Sequence, residues 1–488
     1  MSTTPTARAL SCGDILQEIF FRLQECDEDG RRPFASLARA AVVCRAMSFH
    51  ALDALWVEID SLKPVLQLLH IPNQPPACQC SDLAVPQSTV CMQRKNAVDA
   101  LSASRFQQYA RRVRALCIRY GEMDQSACSA LMHALSSFQP TDAVILPNLR
   151  HLRLEQVVPD LGLTLVLAPS IRHLELRHAD TYFLENSMLV THGKLPVLQS
   201  LHVTGSFADT LSFLHVSCWS QLRVFRSYGS SLDSETLNTL SQMESLQELH
   251  LDVTDDLTHH TEHGGFLHLR ILSASGDPAD VAQVLAWFQQ SPHLHTLRLI
   301  DIELQPGETC PRLVEALSDL QHIEYFSLDS NCEGDPDFLD FPRFWRGLKT
   351  CRISVECYCG EHEPIVPLEL LLQYARQCPY LEVLSLPPID FQPILPPRAP
   401  AKTVTEAISM SLRELNIVNM DYGEFWDWKK ALPTFIERSF PTLDLERMAR
   451  SADKRVKKPW PPHDEKWLRW ATVVERVRAL RDTQTAQG

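Results

Sequence analysis

The chain has 488 residues, 45% of them apolar and 22% charged, with a formal net charge of −14 at neutral pH. That acidity argues against a general nucleic-acid surface, because phosphate contacts need clustered cations, and no apolar run reaches the ~18 residues needed to span a bilayer. The N-terminus MSTTPTARALSCGDIL has no apolar core behind a basic region, and the 15 cysteines are odd in number and irregularly spaced, so a protein kept in a reducing compartment, cytoplasmic and/or nuclear, is expected.

Residues 12–62 make the first segment. Ile15, Leu16, Ile19, Phe20 and Leu23 form a stripe at helical spacing, with Ser11 and Asp14 placed as an N-terminal capping pair. After a break from Asp27 to Pro33 comes a second helical run, Phe34 to Val43, and then a third apolar cluster of Phe49, Leu52, Leu55 and Trp56. Three short helices in ~50 residues bury little surface, so part of their apolar face is expected to need cover from elsewhere.

The lines DILQEIFFRL, VCRAM (Val43 to Met47) and ALDALW (Ala51 to Trp56) resemble the F-box of fungal F-box proteins. The resemblance implies a module that docks on the Skp adaptor of a cullin-RING ubiquitin ligase, with repeats behind it that hold the protein to be ubiquitinated. Carried over by position, the adaptor-binding residues are Ile15, Leu16, Ile19, Phe20, Val43, Cys44 and Trp56. The chain departs from the family at Ser11 and Cys12, where Leu-Pro is common, and at Met47, where an aromatic usually stands. The same residues also read as a three-helix cap closing the end of a solenoid.

Residues 63–104 read as a linker. The stretch from Ile71 to Met92 holds four prolines and no periodicity, and its Cys78, Cys80 and Cys91 lack the paired spacing of a structural zinc site. Helical spacing returns at Phe106, Tyr109, Ala110 and Val113, and Leu116 with Ile118 suggests an abbreviated first strand.

From 105 to 440 the chain repeats itself. LPNLRHLRL at 146 returns as APSIRHLEL, LPVLQSLHV, MESLQELHL, SPHLHTLRL and CPYLEVLSL, with weaker copies between them. The first apolar residue of each copy falls at Leu149, Ile171, Leu198, Leu222, Leu246, Leu269, Leu294, Ile323, Leu348, Leu381 and Leu412. These spacings lie near the ~20–29 residue period of leucine-rich repeats, a family the units resemble. The Asn or Cys that closes the family's turn is mostly absent, and Val157 stands at that offset in the first copy. Apolar residues two apart, such as Leu152 and Leu154, imply one short strand per unit. Helical spacing follows some strands, as in Val281, Val284, Leu285 and Phe288 behind Asp277-Pro278, or Leu368, Leu371, Leu372 and Ala375. The expected fold is therefore an α/β leucine-rich-repeat solenoid, parallel strands on the concave face and helices outside, behind a small all-α N-terminal module.

The residues facing away from the core form a column: Arg153, Glu175, His202, Arg226, His250, Ser273, Arg298, Ser327, Arg352, Ser385 and Asn416. Guanidinium groups suit bidentate capture of carboxylate or phosphate, so Arg153, His202, Arg226, His250, Arg298 and Arg352 are candidate contacts to an acidic or phosphorylated target. Glu155, Glu248, Asp252, Asp329 and Glu414 flank that column, so neutralisation within the sheet explains it equally well. His151, His173, His202 and His250 are read as surface, and Cys44, Cys117 and Cys351 as parts of apolar patterns. Cys351 thereby leaves Cys357, Cys359 and His362 short of a zinc set.

The stretch PPIDFQPILPPRAP after Leu386 predicts a protruding loop. Residues 441–488 carry 11 Lys/Arg against 7 Asp/Glu, and the run Glu465 to Arg481, with Trp467, Trp470, Val474 and Val477, reads as a capping helix. The cluster Lys454 to Lys458 is the alternative, a nuclear-import signal. No nucleophile elbow, phosphate loop or dinucleotide fingerprint occurs. Two functions remain: a non-enzymatic substrate receptor of a Skp-cullin-F-box ligase, or a repeat scaffold unconnected to one. Neither needs a cofactor, a metal, nucleic acid or a membrane.

Overall fold

A computed structural model of the chain describes residues 12–23, 34–68, 100–119, 144–155, 166–178, 195–205, 219–229, 234–253, 265–304, 311–332, 344–356, 365–387, 389–390, 411–417, 428–456 and 464–487. The chain divides into two compact units, Met1–Arg226 and Ser227–Gly488. No helix among the described residues is long and apolar enough to cross a membrane.

The first unit opens with helices α1 (Gly13–Arg22), α2 (Phe34–Ala41) and α3 (Arg45–Trp56). Helix α1 starts behind Cys12, whose side chain makes no cap bond, and Ser11, expected to cap it together with Asp14, lies outside the described residues. Asp14 itself lies in the first turn, where a carboxylate favours the helix dipole. Leu16, Phe20, Leu37 and Ala51 form the shared core of the three helices, with Met47, Ala54 and Leu55 packed at its margin.

Strand β1 (Glu58–Ile59) follows α3 directly, and after α4 (Lys63–Gln67) and α5 (Ala100–Ala110) come β2 (Ala115–Arg119), β3 (His151–Glu155), β4 (His173–Arg177), β5 (Ser200–Thr204) and β6 (Val224–Tyr228). Strands β1 to β5 pair in parallel in chain order. Leu152 and Leu154 are buried while Arg153 between them is exposed, as alternation requires. Strand β1, which the sequence pattern does not announce, exists because the Val57 carbonyl accepts the N–H groups of both Arg114 (2.8 Å) and Ala115 (2.9 Å).

That bond recurs from repeat to repeat. The Arg114 carbonyl accepts from Arg150 and His151, Arg150 from Arg172 and His173, and Arg172 from Gln199 and Ser200. Just ahead of most repeat strands a tight turn closes, as in Leu149 N–H to Leu146 C=O (3.1 Å) and Leu198 to Leu195 (3.2 Å). The repeated line LPNL is therefore a turn whose first and last apolar residues both enter the core, and Leu146 and Leu149 are each 0% exposed.

In the second unit α6 (Ser234–Ser241), β7 (Glu248–Val253), β8 (Ile271–Gly276), α7 (Pro278–Ala286), β9 (Thr296–Leu304), α8 (Pro311–Asp319), β10 (Tyr325–Cys332), β11 (Thr350–Glu356), β12 (Val366–Pro367), α9 (Leu368–Gln377), β13 (Val383–Leu386), β14 (Ile389–Asp390) and β15 (Glu414–Ile417) follow in turn. The parallel order is β7-β8-β9-β10-β11-β13-β15. Asp277 caps α7 by accepting the Ala279 N–H (2.8 Å), so the predicted breaker is the helix start. Strands β12 and β14 form a separate parallel pair, so Ile389 and Asp390, expected in a protruding loop, are instead a short strand with Ile389 buried. The rest of that loop, 391–400, lies outside the described residues, as do the linker stretch 71–92, Val157, Cys357, Cys359, His362, Lys457, Lys458 and Trp467 as a side chain.

The second unit ends in α10 (Trp428–Ser439), α11 (Leu445–Val456) and α12 (Asp464–Gln487), with α12 packed on both of the others. Helix α12 covers the predicted capping run and buries Trp470, Val473, Val474 and Val477. Its Arg481 pairs with Glu437 (2.7 Å) and donates to the Leu443 carbonyl (2.7 Å). Residues 440–444 repeat the turn once more: Leu443 N–H reaches the Phe440 carbonyl (3.3 Å), and Asp444 N–H takes the Arg413 carbonyl (2.7 Å) that a twelfth strand would have used. Here the strand is replaced. The Asp444 carboxylate accepts the Arg447 N–H (2.9 Å), nucleating α11 where earlier repeats extend. Helix α11 then lies beside β15, covering an edge that would otherwise offer unpaired groups to another chain.

Candidate interaction surfaces

The helical module sorts its apolar residues sharply. Leu16 and Phe20 are 2% exposed and hold the three helices together, whereas Ile15 (44%), Ile19 (42%) and Val43 (66%) face solvent. Cys44 is also exposed, as the N-cap residue of α3, and so does not belong to an apolar interior as its pattern suggested. Trp56 is half-buried against Tyr109 of α5 at 4.8 Å between ring centroids. Arg112 reinforces that joint by pairing with Asp53, donating to the Phe49 carbonyl (3.1 Å) and standing 5.0 Å from the Phe49 ring. Of the seven residues carried over from the family, Ile15, Ile19, Val43 and Cys44 are thus accessible; Leu16 and Phe20 are core, and Trp56 is a joint.

On the open face of the first unit's sheet lies a cleft of about 370 Å³, lined by Glu58, Cys117, Arg119, His151, Arg153, His173, Glu175, His202 and Arg226 among others. Its charges neutralise one another. Glu175 accepts from Arg153 (2.5 Å) and Arg177 (2.6 Å) and lies 3.5 Å from His202, while Glu155 faces Arg119 (3.4 Å). Burial by itself would raise the Glu175 carboxyl, but the hydrogen bonds from the two arginines outweigh it and hold it below the usual carboxylate range. Cys117 stands in this same column, in register with Arg153, rather than in the leucine core, and burial raises its thiol. His151 and His173 stack ring on ring at 4.2 Å, nearly parallel at 6°. Burial lowers both; Glu58 opposes it and Arg150 adds to it at His151, while His151 and Arg172 further disfavour charge on His173.

These shifts give a pH dependence. A histidine whose folded pKa lies below its unfolded value of about 6.5 binds fewer protons when folded, so stability falls as pH drops through that value. Glu175, depressed in the folded chain, adds a second loss at lower pH, once its carboxylate protonates. Urea unfolding of the wild type is expected to weaken from pH 8 to pH 5.5, and His151→Asn with His173→Asn to remove most of that slope. An unchanged slope in the double variant would mean that the stack does not titrate with folding.

The second unit's open face differs. His250, expected at the surface, is 4% exposed and bonded to Glu248 (2.6 Å), with Tyr228 Oη 3.5 Å away. Ser273, Ser385 and Asn416 are buried as well. Asn416 donates to Glu414 (2.9 Å), which also pairs with Arg447 (2.6 Å), so this end of the column is tied to α11. Between the buried stretches Arg298 and Arg352 remain accessible, and both lean over the ring of Tyr325, at 5.8 and 5.9 Å from its centroid. Sequence reasoning passed over Tyr325, although its place two residues before Ser327 puts it on the same face. Cys351 fills the leucine core, where burial raises its thiol far above the usual range.

Comparison with known proteins adds little to this geometry. No family model matches the chain, and no curated protein does. Among solved structures, an internalin (inlF) from Listeria monocytogenes aligns at 15% identity and a TM-score of 0.32, covering 66% of this chain and 84% of that one. An internalin C2 (inlC2) from the same organism aligns at 13% and 0.24, covering 48% and 74%. The leucine-rich-repeat fold rests on the strand order, the recurring turn and the carbonyl ladder seen in each unit.

Proposed function

We propose that this chain is a non-enzymatic interaction protein that holds a partner on the open face of its repeats. The observation that carries the reading is the division of labour along each strand: alternate residues lock into the leucine core, and the others form rows of side chains outside that core, on the open face. Site-specific photo-crosslinking tests it. A crosslinker at Ser327, on the open face, is expected to yield discrete protein adducts in cells, and one at Glu315, on the helical side, is not. Equal yields from both positions would sink the reading.

A second reading, docking on the Skp adaptor as the receptor subunit of a cullin-RING ligase, is favoured by the exposure of Ile15, Ile19 and Val43 on a module whose own core is complete without them. Such exposed apolar clusters mark protein contacts more often than chance. In the full chain, Ile19→Asp is expected to weaken adaptor binding by at least about tenfold, the scale of a central interface residue, with thermal unfolding unchanged. Phe20→Asp would unfold the module and so cannot report on docking. Undiminished binding by Ile19→Asp, or none by the wild type, would end the ligase reading and leave the scaffold reading standing.

A further inference from the structure

The open-face column of the second unit reads Ser273, Arg298, Ser327, Arg352, Ser385, each residue in register with the next. Both arginines therefore stand between serines, too short to reach their charges and unable to neutralise them. In the first unit the equivalent neighbour of Arg153 is Glu175, which takes its charge at 2.5 Å. Among the described residues no carboxylate comes within ion-pair distance of Arg298 or Arg352. Asp329 lies two residues beyond Ser327 on the same face and pairs with neither.

Tyr325 fixes where the two cations stand. Arg298 reaches the ring from β9 and Arg352 from β11, on the two sides of the strand that carries it, each within 6 Å of the ring centroid. The aromatic face attracts a guanidinium while leaving its in-plane N–H donors unused. The arginines' backbones are two strand spacings apart, about 10 Å. The result is two separate cations, held apart by one ring, each with a fork of donors.

We propose that Arg298, Tyr325 and Arg352 form a clamp for an acidic segment of a partner protein, one that places two carboxylates on the same side of an extended chain. Side chains two residues apart in such a segment lie on the same side, spaced by ~7 Å, which spans the pair once the long glutamate and arginine side chains reach toward each other. Each guanidinium then takes one carboxylate in the bidentate geometry that arginine favours. A single phosphate is the poorer occupant, because engaging both arginines would pull them off the tyrosine. This inference rests on the scaffold reading and names the chemistry of what the open face holds.

The test uses the full chain and fluorescence anisotropy with three labelled peptides: a Glu-Ala repeat, its Gln-Ala counterpart, and a Gln-Ala peptide carrying one phosphoserine. The Glu-Ala peptide is expected to bind and the other two to bind more weakly. Arg298→Ser with Arg352→Ser should lower its affinity on the order of tenfold at low salt, with a shallower salt dependence. Tyr325→Leu should weaken it severalfold and Tyr325→Phe should not, while Arg153→Ser, in the neutralised network, should change nothing. Equal binding of the Gln-Ala peptide, stronger binding of the phosphoserine peptide, no loss in the double variant, or an equal loss in Arg153→Ser would each overturn the clamp. If the clamp fails while Ser327 still crosslinks a partner, the scaffold reading survives it.

Discussion

Trp345→Ala is expected to destabilise the second unit by about 3–5 kcal/mol, the range for deleting a fully enclosed large aromatic. Trp345 is 0% exposed and lies 4.8 Å from Phe326, centroid to centroid. Its indole N–H donates to the Leu320 carbonyl at 2.6 Å, and its own carbonyl accepts the Leu348 N–H at 3.1 Å to close the turn before β11. The ring thus ties one repeat's turn to the next. Trp345→Phe keeps most of the volume but strands the Leu320 carbonyl, so a loss of roughly 1–3 kcal/mol is expected. Urea unfolding followed by circular dichroism measures both. A loss under about 1 kcal/mol for the alanine variant would mean the neighbouring repeats collapse into the space without strain.

How much of this was legible in the sequence depends on how local each decision is. All eleven repeat strands begin where the repeated line places them, because a period of two and a preceding turn are properties of a few consecutive residues. The extra turn at Phe440 to Asp444 was missed for an equally local reason: Asp444 stops the alternation by capping a helix, so the line breaks off after its first half. Accessibility on the open face is not local. His250 and Arg298 occupy the same column, yet His250 is buried beside Glu248 and Tyr228 while Arg298 stands between two serines. Apart from Glu248, two positions from His250, that difference arises from residues more than twenty positions away, brought alongside by register. In the helical module the stripe Ile15, Leu16, Ile19, Phe20 gave the helix correctly, but which half faces inward is decided by Leu37 and Ala51 on the other helices.

Gly276→Ala is expected to cost at least the roughly 1–3 kcal/mol of a side chain forced into a glycine-only backbone region. Gly276 has φ of 127°, at the end of β8 and opposite Val253 of β7. A Cβ there would sit 2.0 Å from the Val253 carbonyl oxygen and 3.0 Å from its carbon, both backbone atoms that no rotamer change can move. The glycine lets the strand run flush against its neighbour and then turn at once into Asp277 and α7, so relief requires β7 and β8 to part at that end. Hydrogen exchange should therefore quicken at the end of this pair before anywhere else in the unit. Gly347 supplies the contrast, since a Cβ at that position meets no atom within 4 Å and its φ is not in the left-handed region. Gly347→Ala should be neutral or stabilising by up to about 1 kcal/mol, through the lower entropy of the unfolded chain. If the two alanine variants unfold at the same urea concentration, the close approach of β8 to Val253 is not what glycine is needed for.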